Sequence, residues 1–193
     1  MSKILVAYAT NSGSTREVAN TIAEEWVKAG HTVDVRRCRK VDRLDGYDTV
    51  IVGAPMIFGW HAEALRFVRR YRAELAVRKT ALFACAMRLT LPELVNASTL
   101  AMTIDPDLGE KPAKSGSLSL KERFTTLDYY LKPMLKAASG VHVDNLAFFK
   151  GKLEMYRLKW WQAAFVMLVV QAPPGDYRNW DFIRSWANSI FAD

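Results

Sequence analysis

The sequence predicts a three-layer α/β fold built on a doubly wound, five-stranded parallel sheet. Two observations carry that expectation. An apolar, β-branched run, Ile4 to Ala9, gives way to a polar loop containing glycine, and then to a helix whose Val18, Ile22 and Trp26 recur every four residues. The same order returns with Thr49 to Ala54 (TVIVGA), an apolar loop, and a helix marked by Leu65, Val68, Tyr71 and Leu75. Runs that are apolar at every position fit strands covered on both faces by helices. At 193 residues, 50% of them hydrophobic, the chain is expected to form one domain, 1–193, around a single core.

The remaining elements follow in order. Ala29-Gly30 closes the first helix, and Thr32 to Arg36 alternates with Val33 and Val35 on one face, as an edge strand does. The basic run Arg36, Arg37, Arg39, Lys40 is expected to solvate the end of that strand. After Thr49 to Ala54, a fourth strand spans Thr80 to Ala86, with Cys85 as a small core residue. Residues 92–120 then read as an insert, with a short helix near Glu93 to Met102 and a mobile segment around Asp105 to Ser119. Phe124, Leu127, Leu131, Leu135 and Ala138 restore helical spacing, with Pro133 expected to kink the helix or start a new turn, and Val141 to Phe149 gives the fifth strand. The C-terminal extension, 150–193, opens on a basic turn and continues through Trp160 to Val170, apolar nearly all round. An amphipathic helix with Ile183, Ala187, Ile190 and Phe191 on one face completes it.

Two cysteines, Cys38 and Cys85, without a CxxC pair, argue against a disulfide scaffold or a metal site, and a reducing cytoplasm is the expected setting. A strand begins within a few residues of Met1, which leaves no room for a signal peptide, and no apolar run is long enough to span a bilayer. The net charge is +7 and the sequence pI about 9.5. Such a surplus suits an anionic small molecule or an anionic membrane surface. With no recognised nucleic-acid motif, nucleic acid is not an expected partner.

Chemistry concentrates in Thr10, Asn11, Ser12, Gly13, Ser14 and Thr15, between the first strand and the first helix. Gly13 lets the backbone turn so that N–H groups face one concavity at a helix N-terminus, a setting that suits phosphate. An N-cap cluster with Glu17 as capping-box partner of Ser14 is the simpler alternative, but a cap needs one hydroxyl and four are present. No GK[ST] follows and the spacing is not GxGxxG, so a phosphate monoester fits better than a nucleoside triphosphate or a dinucleotide. These six residues resemble the T-x-[ST]-G-x-T phosphate loop of the flavodoxins. The resemblance implies strand order 2-1-3-4-5, FMN as cofactor, and a crevice where the loops after the first and third strands meet. The flavin ring would then lie between Pro55, Met56, Ile57, Phe58, Gly59 and Trp60 on one side and Met87, Arg88, Leu89 and Thr90 on the other. Phe58 and Trp60 would form an apolar platform for the ring, or else pack onto the core beneath.

Val52-Gly53-Ala54 with Gly59, the turn ending in Tyr156, Arg157 and Trp160, and the helix containing Trp180 look like the menaquinone-dependent protoporphyrinogen oxidase branch of the flavodoxin-like superfamily. That likeness implies two-electron transfer from a reduced, protoporphyrinogen-like substrate to a quinone. The chemistry would be borne by the flavin, with no metal and no protein nucleophile. His61 and Arg88 are the side-chain candidates near the ring, and Lys150, Lys152 and Arg157 the candidates for anionic propionates. The alternative is an FMN electron carrier that docks a protein redox partner. Trp160 to Val170 is expected to be covered by the C-terminal helix or by a second subunit of a homodimer, or to lie in a membrane interface.

Overall fold

The computed structural model describes residues 1–57, 59–91, 101–113, 117–157, 160–170 and 173–190. Its framework is β1 (Lys3–Tyr8), α1 (Ser14–Lys28), β2 (Thr32–Arg37), β3 (Thr49–Pro55), α2 (Ala62–Arg70), α3 (Arg72–Leu75) and β4 (Lys79–Ala86). There follow β5 (Leu89–Thr90), β6 (Met102–Ile104), β7 (Gly109–Glu110), α4 (Leu120–Arg123), α5 (Leu127–Ala137) and β8 (Asn145–Lys150). The chain closes with β9 (Lys152–Leu153), α6 (Trp160–Phe165), a π-helical turn over Val166–Val170, β10 (Gly175–Asp176) and α7 (Trp180–Ser189).

The main sheet runs β2-β1-β3-β4-β8-β6, with every pairing parallel. Its first five strands follow the expected order 2-1-3-4-5, the fifth being Asn145–Lys150 and not Val141 to Phe149. A sixth strand, Met102–Ile104, lies beyond it within the supposed insert. Alternation along each strand divides the core. Ile4, Val6, Ile51 and Phe83 pack under α1 and α7, while Leu5, Val50, Val52 and Leu82 pack under α2 and α5. Trp26 of α1 is buried and donates its ring N–H to the carbonyl of Ala187 in α7 at 2.7 Å, which pins the C-terminal helix beside the N-terminal one.

The insert is more ordered than composition suggests. Asp105 is fully buried and accepts from the N–H groups of Asp107 and Lys150, tying the loop after β6 to the end of β8. Glu122 and Ser119 form a reciprocal capping box, and Glu122 also accepts from the N–H of Ala113. Hydrogen bonds from Ser119 and Ala113 bring the Glu122 carboxyl down to about 2. Of the helix expected near Glu93 to Met102, residues 93–100 lie outside the described part and Met102 is in a strand. α5 runs through Pro133 without a break, starting from Thr126, whose hydroxyl accepts from the N–H of Tyr129.

Within the chain, the C-terminal helix does not cover the whole of the stretch from Trp160 to Val170. Trp160 is 83% exposed, Met167 66% and Leu168 68%, whereas Val166 between them is 2% exposed. Among the described residues no helix is long and apolar enough to cross a membrane.

Gly53 of β3 stands opposite Phe83 of β4, and a Cβ there would fall inside the Phe83 ring. Close approach, not backbone conformation, demands glycine. Gly53→Ala is expected to destabilise the protein by about 1–3 kcal/mol through overpacking, with Gly53→Ala/Phe83→Leu recovering part of the loss. Denaturant midpoints of the two variants check this, and equal midpoints for wild type and Gly53→Ala would contradict it.

Candidate functional site

The loops after β1 and β3 leave neighbouring strands at their carboxyl ends and meet at one edge of the sheet. In the first, Gly13 adopts φ 101°, a left-handed conformation, and its N–H donates to the Thr10 hydroxyl at 2.8 Å. Ser12 and Ser14 bring their hydroxyl oxygens within 3.4 Å of each other. Gly13 at the N-cap position gives α1 no side-chain cap, so the alternative of a Ser14–Glu17 capping box does not hold. The Glu17 carboxylate binds Arg178 instead. Thr15 is fully buried and its hydroxyl makes no hydrogen bond, having only the Cys85 thiol, a weak partner, beside it. A buried hydroxyl without a partner at an uncapped helix N-terminus is the arrangement an anion with several acceptor oxygens would complete. The residues of this loop fit a phosphate.

Two arginines hold the loop from either side. Arg37, at the end of β2, donates to the carbonyl of Thr10 at 3.4 Å and doubly to the Glu63 carboxylate of α2. Burial raises the Glu63 pKa, but hydrogen bonds from Arg37 and the Arg39 N–H outweigh it and leave the carboxyl below its usual value. The basic run around Arg37 is thus partly structural, contrary to the expectation that it solvates a strand end. On the other side, Arg178 donates to the carbonyl of Ser14 at 3.3 Å and to Glu17 at 2.7 Å. Sequence reasoning missed both residues, because their partners are 26 and 161 positions away along the chain.

His61 joins the two loops. Its Nδ1 accepts from the N–H of Glu63, capping α2, which leaves Nε2 to carry the proton and donate to Asn11 Oδ1 at 3.2 Å. Burial holds its pKa below the ordinary imidazole value, in keeping with the neutral ring that this cap needs.

Between the loops lies a cleft. Of the expected cofactor residues, Asn11, Ser12 and Ser14 line one end, and Pro55, Met56, Ile57 and Met87 line its walls. Others are placed elsewhere: Thr10, Gly13 and Thr15 belong to the loop but do not line the cleft. Trp60 is 3% exposed, with its ring N–H bonded to the Phe83 carbonyl, so it packs onto the core and is no platform. Leu89 and Thr90 are buried in the same way, Thr90 against the hydroxyl of Thr125. Arg88 pairs with Glu110 at 2.8 Å and does not line the cleft. Gly59 turns at φ 95° outside it, and Phe58 lies outside the described residues.

Of the candidate substrate cations, Lys152 lines the cleft, paired with Glu154 at 3.1 Å. Lys150 turns instead to the carbonyl of Asp107 and the ring of Tyr177. Arg157 ends a short 3-10 turn, Met155–Arg157, and its side chain lies outside the described part. The C-terminal extension adds Leu153, Glu154 and Val166 to the wall, and α5 adds Tyr130. Tyr130 stacks on Phe148 and donates to the carbonyl of Arg88, and burial raises its pKa. The buried face of α5 runs through Leu127, Tyr130, Met134 and Ala137, whereas Leu135 of the expected stripe is 43% exposed, so the spacing signal was there but one position off. Cys85 also reaches the cleft, with burial pushing its thiol up to about 12. Among the described residues no group of three metal-ligating side chains occurs.

A family model described as "Flavodoxin domain" matches residues 5–178. The chain is 22% identical to protoporphyrinogen IX dehydrogenase [quinone] of Escherichia coli strain K12, over 97% of this chain and 94% of that one. It is 35% identical to the NAD(P)H dehydrogenase (quinone) of Acidovorax ebreus over 81 residues, 31% of this chain and 40% of that one. Among solved structures, a putative quinone reductase from Klebsiella pneumoniae superposes with a TM-score of 0.52 at 12% identity, covering 100% of this chain and 86% of that one.

The His61 cap carries a pH dependence. A folded pKa below the ordinary 6.5 or so means that the contribution is complete above that value and is lost as pH falls toward the lowered folded value. His61→Ala is expected to cost about 1 kcal/mol at pH 7.5, and the difference from wild type should shrink at pH 5.5. Urea unfolding of both proteins at the two pH values measures it, and a difference that grows on acidification would refute it.

Proposed function

The chain belongs to the flavodoxin domain family, and on that premise we propose that it is an FMN-dependent oxidoreductase that passes two electrons from a reduced organic donor to a quinone. FMN, when bound, supplies the acceptance and release of electrons, so the protein's part is to bind, orient and shield. The main-chain N–H groups of residues 10–15 and the hydroxyls of Ser12, Ser14 and Thr15 would hold its phosphate. Pro55, Met56, Ile57, Met87 and Tyr130 supply apolar walls for its ring. The observation that carries this reading is the buried, unbonded hydroxyl of Thr15. Thr15→Val removes it at constant shape. The variant should be as stable as wild type without ligand, or up to about 1 kcal/mol more stable, while FMN binding weakens by about 1–3 kcal/mol. Thermal melts and flavin titration test the pair of effects, and unchanged FMN affinity would remove the phosphate assignment.

The relatives' names support a quinone as acceptor. A protoporphyrinogen-like donor, with anionic carboxylates, would meet Lys152 on the cleft wall, its charge tempered by Glu154. The turn that presents Val166 to the cleft also presents Met167 and Leu168 to the outside, beside Trp160 on the preceding helix, on a chain of net charge +7. We assign that apolar ridge to the surface of an anionic bilayer, from which a lipid-soluble quinone would reach the cleft. FMN-loaded protein given a reduced porphyrinogen should turn over with a water-soluble quinone and no added protein. Trp160→Ser should leave that rate intact and lower the rate with quinone held in anionic vesicles. Reduction of the flavin only when a second protein is added would favour an electron carrier, and equal vesicle rates would remove the bilayer assignment.

A further inference from the structure

Arg178 is the one residue of the C-terminal extension that the described hydrogen bonds connect directly to the phosphate loop. Its side chain is only 3% exposed. One Nη donates to the carbonyl of Ser14 at 3.3 Å and to the Glu17 carboxylate at 2.7 Å, while Nε and the other Nη bind Asp176. The guanidinium lies 4.3 Å from the centre of the Trp180 ring, so its plane is fixed from below as well as at its edges. Glu17 is placed awkwardly for an anion site. It occupies the first turn of α1, where its charge favours the helix but opposes any second anion at the same terminus. The guanidinium sits between that carboxylate and Asp176, and without it two negative charges would stand beside the loop.

We propose that Arg178 is a positioning residue for the phosphate of FMN: it cancels the charge of Glu17 and ties the first turn of α1 to the C-terminal extension. The inference rests on the FMN reading and adds a residue that the loop motif does not contain. The hydroxyls and N–H groups of 10–15 carry no net charge, as a dianion held without lysine requires. These three side chains, together with Arg37 on the other side of the loop, shape the field around them.

Discrimination between FMN and riboflavin, which has the same ring and no phosphate, tests the proposal. Both are titrated into the full-length protein by quenching of flavin fluorescence. Arg178→Met should raise the dissociation constant for FMN about tenfold and leave that for riboflavin within about twofold. Adding Glu17→Gln to Arg178→Met should restore part of the FMN affinity. Equal weakening of both ligands would make Arg178 a brace of the fold only and overturn the proposal, as would no change in either. If Arg178→Met does not fold, Arg178→Lys decides. A preserved preference for FMN supports the role of charge and a lost preference overturns it. A wild-type protein that binds riboflavin and FMN equally would instead refute the phosphate assignment itself, a result read before any variant is made.

Discussion

At Thr15 the chain buries a hydroxyl with no hydrogen-bond partner, a cost of about 1–3 kcal/mol, beside a helix terminus whose N–H groups no side chain caps. Much of the surrounding structure serves to keep that terminus as it is. A loop free to relax would fold a serine back onto the helix end, as isolated sequences of this kind do. Here Gly13 turns left-handed, the Thr10 hydroxyl is occupied by its N–H, and the strand before and helix after are anchored in fully buried layers. Asn11, Ser12 and Ser14 are thereby held at the end of the cleft.

Rigidity of this kind needs long-range support, and polar side chains, two of them charged, provide it. Arg37 links the end of β2 to Thr10 and α2, His61 links α2 to Asn11, and Arg178 links the start of α7 to α1. Each contact joins segments distant in sequence, so the loop's shape is a property of the assembled sheet. The C-terminal extension has two parts in this. Its α7 packs on α1 through Trp26 and Ala187, and its β9 and the turn near Val166 form one wall of the cleft. What a plain doubly wound domain leaves open to solvent is here partly enclosed.

The layers and the loop were legible because their signals are local. Strands apolar at every position, helices with spacing of three and four, and hydroxyls around Gly13 need no knowledge of the rest of the chain. The sixth strand was hidden because Met102–Ile104 is only three residues long, in a stretch where composition suggests a loop, and its order comes from pairing with β8. Trp60 misled for a related reason. An aromatic residue in a loop looks like a binding platform, yet its ring N–H finds a main-chain carbonyl in β4 that only the folded sheet brings near. Arg88 and Lys150 were candidates for the ring and for anionic propionates, and each has a partner on the insert, in Glu110 and in the carbonyl of Asp107. Residue type and spacing show where chemistry can occur. They do not show which charges are already spent on structure.

Cys85 borders the cleft, yet burial keeps its thiol near 12, far from ionisation at neutral pH. Peroxide attacks thiolates, so this sulfur is a poor target for oxidation. The protein can place a small, polarisable wall atom against its reaction chamber without acquiring an oxidative weak point there.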